Sequence, residues 1–387
     1  MTVHSIEIEA AGGGVRVSAA VEVETPGVPV PDRLWYEVPA AWADGVTDRA
    51  DGFAVAVVLL ASVLGERLEV RGALSPRLAY GLDEYLRVFR CWYPEGFHPV
   101  PVVAGLDPEG PAEAPPHAVA TAFSGGVDSS FTLWSHLPEH ERHPDFRLSH
   151  GVFVHGFDIP LADEATFATA AGAYGAMLDR LGLSLVPVRT NARAFTPGIA
   201  WELAHGAALL SVPLVLGRLL RRFYVPASTS YADVGRWGSD PLLDHLLSTE
   251  TLDVVHDGAG TYRADKVAAL AGWPTTYDRL RVCWERPDGL RNCGRCYNCL
   301  LTMSALAAAG ALDRFTTFPD LALDRVRAAA VPDGWQAEGR VLLRRVREAG
   351  LEDLAAALEH VLPGPPERGA RRASLLARAR AALRRFV

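Results

Sequence analysis

Between residues 115 and 310 the chain alternates short apolar runs with patterns of helical period. The apolar runs cover residues 117–123, 150–156, 183–191, 222–228 and 252–258. Helical patterns follow Asp128 and span residues 163–182 and 198–222. Strands that alternate with helices favour a parallel sheet covered on both faces. We therefore predict an α/β fold with a doubly wound parallel sheet for residues 115–310.

A smaller unit is predicted before this sheet. Residues 1–112 contain three alternating segments, predicted as strands, at 4–10, 14–24 and 67–73. Two segments of helical period lie at 50–65 and 75–93. We predict an N-terminal α+β domain that ends in a linker rich in proline, glycine and acidic residues, 107–116.

A helical extension is predicted after the sheet, over residues 311–387. It is rich in alanine, leucine and arginine, and residues 361–370 interrupt it with proline and glycine. The segment 371–387 is basic and places its apolar residues on one helical face. We expect this segment to pack on the protein or fray, and contact with an anionic partner is the alternative.

Composition limits the protein classes that fit this chain. With 387 residues, 49% of them hydrophobic, it resembles a globular protein of two or three domains. No basic stretch followed by an apolar one begins the chain, and the apolar run 52–65 is too short for a bilayer. We expect a cytoplasmic protein without membrane association. The net charge of -8 predicts no large nucleic-acid surface, and composition leaves oligomerisation open.

The first predicted strand of the sheet ends in Ser-Gly-Gly-Val-Asp-Ser-Ser, residues 124–130. Gly125 and Gly126 let backbone N–H groups approach a ligand, and the following helix adds partial positive charge at its N-terminus. The hydroxyl donors are Ser124, Ser129 and Ser130. Asp128 suits an anion site if Mg²⁺ lies between its carboxylate and phosphates. The loop matches neither a Walker A loop nor a G-x-G-x-x-G turn.

Four of the five cysteines fall within seventeen residues: Cys283, Cys293, Cys296 and Cys299. In a reducing compartment such clustering favours metal binding over disulfides. Four thiolates, three of them in a C-x2-C-x2-C run, can close a tetrahedral zinc site. An iron–sulfur cluster and no metal at all remain the alternatives.

Lys266 is the only lysine among 38 basic residues. In a chain that uses arginine wherever a generic positive charge is enough, one lysine indicates a need for a compact ammonium group. We predict a functional role for Lys266, with Arg263 as a second cation on the same helix.

Polar residues follow or lie between the later strands of the predicted sheet. Ligands of open α/β sheets bind outside the carboxyl ends of the strands. The candidates for contact with a substrate are Asn191, Ser228, Tyr231, Asp240 and His256.

The S-G-G-x-D-S pattern between a strand and a helix resembles the pyrophosphate loop of the PP-loop ATP pyrophosphatases, the adenine nucleotide alpha-hydrolase-like superfamily. The knuckle CGRCYNC and the helix RADKVAAL narrow the likeness to 7-cyano-7-deazaguanine synthase-like proteins. The likeness covers residues 115–310. The flanking units and the segments that would recognise the substrate have no counterpart in that family.

The resemblance implies a fold of PP-loop type and cleavage of ATP to AMP and pyrophosphate. It assigns pyrophosphate binding to Ser124, Gly125, Gly126, Val127, Ser129 and Ser130. It assigns catalysis to Asp128, Lys266 and Arg263, with Mg²⁺ at Asp128. Ala122, Phe123 and His155 would flank adenosine, and Zn²⁺ would bind the four cysteines.

The implied activity is that of an ATP-dependent C–N ligase or synthase. A carboxylate or similar oxygen of a small molecule, a deazaguanine-like base among the candidates, is adenylated and attacked by ammonia or an amine. The product is an amide or, after a second activation, a nitrile, and the nitrogen donor is free or comes from a partner protein.

Two alternatives remain. One is a sulfur-transferring enzyme that acts on a nucleobase or tRNA. Such enzymes need a reactive thiol or cluster. Only Cys91 is left for that role, and we expect Cys91 in the core or at an interface. The other alternative is a non-catalytic nucleotide-binding protein.

Overall fold

The computed structural model describes residues 1–107, 116–283, 285, 289–332 and 336–362. In these ranges eleven strands, most of them in parallel pairs, form one large mixed sheet, and helices pack on the sheet. The predicted α/β class is therefore confirmed, and the architecture is compatible with a Rossmann-like fold.

The strands are β1 (Thr2–Val3), β2 (Glu7–Ala11), β3 (Gly14–Glu22), β4 (Arg33–Pro39), β5 (Leu68–Leu74), β6 (Val102–Leu106), β7 (Ala118–Ala122), β8 (His150–His155), β9 (Ser184–Thr190), β10 (Leu220–Pro226) and β11 (Asp253–Asp257). The helices are α1 (Asp51–Leu64), α2 (Pro76–Trp92), α3 (Val127–Ser135), α4 (Glu164–Arg180), α5 (Trp201–Val215), α6 (Arg263–Ala271), α7 (Tyr297–Ala308), α8 (Leu323–Arg327), α9 (Gln336–Glu348) and α10 (Glu352–Val361).

Strands β7 to β11 are parallel and lie in the order β11-β10-β7-β8-β9. The chain starts at β7, adds strands on one side as far as β9, and then crosses back to β10. The direction of winding therefore reverses between β7 and β10. At such a switch point the loops after the two central strands diverge and leave a crevice at the carboxyl edge of the sheet.

Both faces of these strands are buried. In β10, Phe223 and Val225 belong to the core that contains α1 and α5, whereas Tyr224 belongs to the core that contains α3 and α4. In β7, Ala120 and Val119 divide in the same way. This two-sided burial explains why the strands are continuous apolar runs in the sequence.

The N-terminal strands extend the same sheet. β4 pairs antiparallel with β9, with Tyr36 opposite Thr190 and Glu37 opposite Arg189. Helix α1 packs against α5, and one hydrophobic core includes residues from both sides of the predicted boundary at residue 112. The predicted N-terminal domain therefore shares a sheet and a core with the next unit. The division of the chain into domains at residue 112 stays a prediction.

The predicted N-terminal strands are present with small shifts in their ends, and β1, β4 and β6 are additional strands. Helices α8, α9 and α10 follow the sheet, and α9 packs on α6 and α7. Residues 108–115 of the predicted linker, and the interruption and basic segment from residue 363 onward, lie outside the described residues. No helix in the described part of the chain is long and apolar enough to cross a membrane.

The contact between α1 and α5 leads to a prediction at Gly52. A Cβ atom there would lie 2.5 Å from the Ser211 carbonyl oxygen and 2.8 Å from Val215 Cγ2. We expect Gly52→Ala to lower the free energy of unfolding by about 1–3 kcal/mol, because the two helices must separate. Gly172 of α4 is exposed with no atom within 4 Å of such a Cβ. As the control, Gly172→Ala should raise stability by about 0.5–1 kcal/mol. Equal urea midpoints for the two variants would contradict the close approach.

Candidate functional site

The loop of residues 124–130 leaves the carboxyl end of β7 and leads directly into α3. Gly125 has a φ of +74°, in the left-handed region that favours glycine. A Cβ atom at Gly125 would lie 2.0 Å from Tyr174 Oη, so the space also requires glycine. Gly126 is the N-cap residue of α3. The first amide groups of α3 have no partner within the helix and are available to an anion.

Hydrogen bonds inside the loop fix its shape. Ser129 Oγ donates to the Gly126 carbonyl oxygen at 3.2 Å and accepts from the Ser124 N–H at 3.3 Å. The backbone N–H of Arg281 donates to the Gly125 carbonyl oxygen at 2.8 Å, which ties the loop to the segment before the cysteines. Bonds within the protein thus define the shape of the turn.

Asp128, in the first turn of α3, pairs with two buried cations. Its Oδ2 accepts from Arg263 Nη1, and its Oδ1 accepts from Lys266 Nζ at 3.3 Å. Lys266 is 1% exposed and Arg263 8% exposed. Buried cations are tolerated when a carboxylate and further acceptors surround them. The two predicted cations and the predicted acidic residue therefore lie together.

Lys266 also marks the switch point of the sheet. Its Nζ donates to the Ala227 carbonyl oxygen at 2.5 Å, directly after β10, and lies 5.7 Å from the centre of the Phe131 ring. The ammonium group therefore joins the segments that follow β7 and β10. This is the crevice where open α/β sheets bind ligands.

Two further residues hold Arg263 in place. Asn298 Oδ1 accepts from Arg263 Nη2 at 3.0 Å, and Asn298 Nδ2 donates to the Val282 carbonyl oxygen at 2.6 Å. Glu338 Oε2 accepts from the backbone N–H of Arg263 at 2.7 Å. Burial raises the pKa of Glu338 to about 7, and the nearby Asp128 charge adds to that rise. We call Asp128, Arg263, Lys266 and Glu338 the charge cluster.

Cys283 and the three cysteines of the knuckle form a compact group. Their Sγ atoms all lie within 4.8 Å of one another, and Cys293 Sγ is 3.8 Å from Cys299 Sγ. A tetrahedral site with Zn–S bonds of about 2.3 Å has neighbouring sulfurs about 3.8 Å apart. The spacing fits a metal ion such as zinc.

The surroundings of the knuckle also suit a thiolate site. The backbone N–H of Cys296 donates to Cys293 Sγ at 3.3 Å, and that of Arg295 does so at 3.4 Å. The Cys296 thiol and burial raise the pKa of Cys299, so the thiols need a cation to ionise together. Asn298, which contacts Arg263, directly precedes Cys299 in the chain. The cysteine group therefore adjoins the charge cluster through this residue.

The residues expected to flank adenosine differ in how their side chains are placed. Ala122 is half-buried at the end of β7, whereas the Phe123 side chain is buried against Tyr174, with ring centres 5.2 Å apart. His155 is 1% exposed and stacked on Phe167, and its Nε2 contacts the Pro160 carbonyl oxygen at 2.8 Å. Burial lowers the pKa of His155. The rings of Phe123 and His155 thus lie in the core. The Val127 side chain of the loop is buried as well.

The five residues expected to contact a substrate fall into three places. Ser228 and Tyr231 are exposed in the segment after β10, and Ser228 directly follows Ala227, whose carbonyl oxygen Lys266 contacts. His256 Nδ1 lies 2.7 Å from Asp244 Oδ2, and the Asp240 N–H donates to Asp244 Oδ1 at 3.3 Å. Burial raises the pKa of Asp240.

Asn191 is the fifth of these residues, and its side chain joins β9 to β4. Its Oδ1 accepts from the Trp35 N–H at 2.9 Å, and its Nδ2 donates to the Arg33 carbonyl oxygen at 2.8 Å. Of the five, Ser228 and Tyr231 are therefore the exposed ones, and Ser228 adjoins a residue that Lys266 contacts.

The structure adds residues that the sequence analysis did not select. Tyr174 Oη is buried under Gly125 without a hydrogen-bond partner among the described residues. Arg281, Asn298 and Glu338 contact the loop or Arg263 directly. The sequence could have indicated Asn298, because it lies between Cys296 and Cys299 of the knuckle. No sequence pattern indicates Glu338, because it lies on a helix outside the segment of resemblance.

Comparisons with protein-family models, curated proteins and solved structures gave no match to this chain.

We predict that the cysteine group binds metal and stabilises the fold. Cys296→Ser should lose bound metal and lower the unfolding temperature, because metal ligation contributes folding free energy. Cys91 is exposed on α2, so of the two predicted places the core is excluded and an interface stays a prediction. Cys91→Ser serves as the control. The measurements are metal content after dialysis, thermal unfolding, and the visible absorption that separates iron–sulfur from zinc. A Cys296→Ser protein with wild-type metal content and stability would refute the site.

Proposed function

We propose that the protein is an ATP-dependent adenylating enzyme of PP-loop type. It binds ATP with the β- and γ-phosphates on the loop of residues 124–130 and releases pyrophosphate. A carboxylate or similar oxygen of a small molecule attacks the α-phosphorus and takes the adenylyl group as pyrophosphate leaves. Ammonia or an amine then attacks the adenylated carbon and displaces AMP. The observation that carries the proposal is the meeting of this loop with Lys266 and Arg263 at the switch point of the sheet.

The loop has the parts that an anion site requires. Glycines at two successive positions leave the backbone uncovered, and the N-terminus of α3 supplies N–H groups and partial positive charge. Lys266 and Arg263 add two full charges that stabilise negative charge on the α-phosphate and the leaving group in the transition state. Fixed cations in a site of low water content act more strongly than cations in solution.

Asp128 has two roles in this proposal. Without nucleotide it pairs with Arg263 and Lys266, whose buried positive charges are costly to leave uncompensated. With nucleotide the cations turn to the phosphates, and the freed carboxylate is a ligand of the type that Mg²⁺ prefers. Mg²⁺ would neutralise the phosphates as pyrophosphate leaves.

The acceptor is proposed to bind after β10, at the exposed Ser228 and Tyr231. A deazaguanine-like acid fits the proposal as substrate, since its carboxylate can be adenylated and its ring can stack on a tyrosine. Sulfur transfer has less support. Outside the group of four cysteines, Cys91 is the remaining cysteine of the described residues. It lies on α2, which follows β5 in the N-terminal half.

The proposed function is tested with pure protein, ATP, Mg²⁺, ammonium and a panel of carboxylic acids that includes 7-carboxy-7-deazaguanine. The readouts are AMP and pyrophosphate against ADP and phosphate, with mass spectrometry of each acid. AMP formed with one acid, and conversion of that acid to its amide or nitrile, supports the proposal. ADP as the product, or no nucleotide turnover with any acid, amine or sulfur donor, contradicts it.

A variant of Lys266 tests its role in turnover. Lys266→Met keeps an unbranched buried side chain one atom shorter and removes its charge, so we expect AMP formation to slow by roughly 10²-fold or more. Arg87 is an exposed cation of α2 that pairs with Glu84 at 2.9 Å, and Arg87→Ala is the control. Both variants should show the wild-type circular dichroism spectrum. Wild-type turnover by Lys266→Met would exclude Lys266 from catalysis.

A further inference from the structure

Helix α9 brings a carboxylate from the C-terminal part of the chain to the charge cluster. We propose that Glu338 is a positioning residue of the anion site: it fixes the start of α6, which carries Arg263 and Lys266, and its ionisation sets the net charge of the cluster. The inference rests on the proposed function of the loop as a phosphate site.

The contact with α6 is made at the first residue of that helix. Arg263 begins α6, and Glu338 Oε2 accepts from its backbone N–H at 2.7 Å. Glu338 therefore satisfies a free N–H group at the start of α6, as a capping side chain does, although it lies in a distant part of the chain. A second contact, Arg345 with Asp265 at 2.8 Å, joins the same two helices at the surface. Because Arg263 contacts Asp128, the position of α9 is linked to that of the loop.

The other carboxylate oxygen is unusual. Glu338 is 5% exposed, and its Oε1 is buried with no hydrogen-bond partner in the described part of the chain. A small cavity of about 20 Å³ adjoins Glu338, Arg263 and Thr302, which is room for one water molecule. A buried carboxylate with one unpaired oxygen is costly to keep ionised.

The charges of the cluster balance only when Glu338 is ionised. Asp128 and Glu338 then offset Arg263 and Lys266, and the net charge is zero. With Glu338 protonated, one positive charge remains beside the loop. The remaining charge favours an anionic ligand, and a bound anion in turn favours the protonated form.

The charged neighbours that act on Glu338 are Asp128 of α3 and Lys266 and Arg263 of α6. Of the ionisable groups on the adjoining helices, Asp265 pairs with Arg345 and Arg347 pairs with Glu359. The remaining groups on α7, α9 and α10 are Tyr297, Cys299, Arg340, Arg344, Glu348, Glu352, Asp353 and His360. Burial raises the pKa of Glu338 to about 7, so its ionisation changes in the neutral range.

The test is calorimetric titration of the full chain with Mg²⁺ and pyrophosphate at about pH 6 and about pH 8.5, on either side of that pKa. Glu338→Gln keeps an acceptor for the Arg263 N–H and removes the charge. The ratio of wild-type to variant dissociation constants cancels the ionisation of pyrophosphate itself. Glu348→Gln, at the exposed end of α9, is the matched control.

We expect Glu338→Gln to bind like the wild type at the lower pH and roughly tenfold more tightly at the higher pH, where the wild type has lost the extra positive charge. Glu348→Gln should match the wild type at both. Glu338→Ala, which has neither charge nor acceptor, should bind more weakly than Glu338→Gln at both pH values.

Each of three results would overturn a different part of the proposal. A ratio that does not change with pH overturns the role of Glu338 in setting the charge. Equal binding by Glu338→Ala and Glu338→Gln overturns its positioning role. No binding of pyrophosphate by the wild type overturns the proposed phosphate site, and the inference with it.

Discussion

The carboxylate of Asp128, shared between Arg263 and Lys266, connects the main parts of this protein. These side chains are largely buried, and a buried charge left without a partner costs several kcal/mol. Helices α3 and α6 must therefore keep their relative positions. Arg263 also contacts Asn298 of the cysteine knuckle and Glu338 of the C-terminal helices.

The sheet explains why these contacts meet where they do. Parallel strands β7 and β10 end side by side, so the glycine loop and the Ala227 carbonyl face one crevice. The pairing of β4 with β9 then adds the N-terminal strands at the far edge, away from that crevice. The N-terminal strands thus enlarge the sheet and its core at that edge. The C-terminal part differs, since α9 packs on α6 and adds a charged residue to the cluster.

Local patterns made much of this predictable from the sequence. The alternation of strands and helices, the loop at Ser124 and the knuckle at Cys293 are each set by residues close in the chain. A lone lysine indicated Lys266, and the structure places it against Asp128. What could not be predicted depends on contacts between distant segments. Glu338 lies 75 residues from Arg263, and β4 pairs with a strand more than a hundred residues away. Asn191 and His155 followed strands as a ligand-binding residue does, yet tertiary packing uses their side chains inside the protein.

A crystal structure with the non-cleavable α,β-methylene analogue of ATP tests the central claim most directly. We expect the terminal phosphates of the analogue to bind the amides of Gly125 and Gly126, at the N-terminus of α3. It also predicts that Lys266 Nζ moves from the Ala227 carbonyl oxygen to a phosphate oxygen. Phosphates bound elsewhere, or an occupied loop with Lys266 and Arg263 still paired only to Asp128, would contradict it.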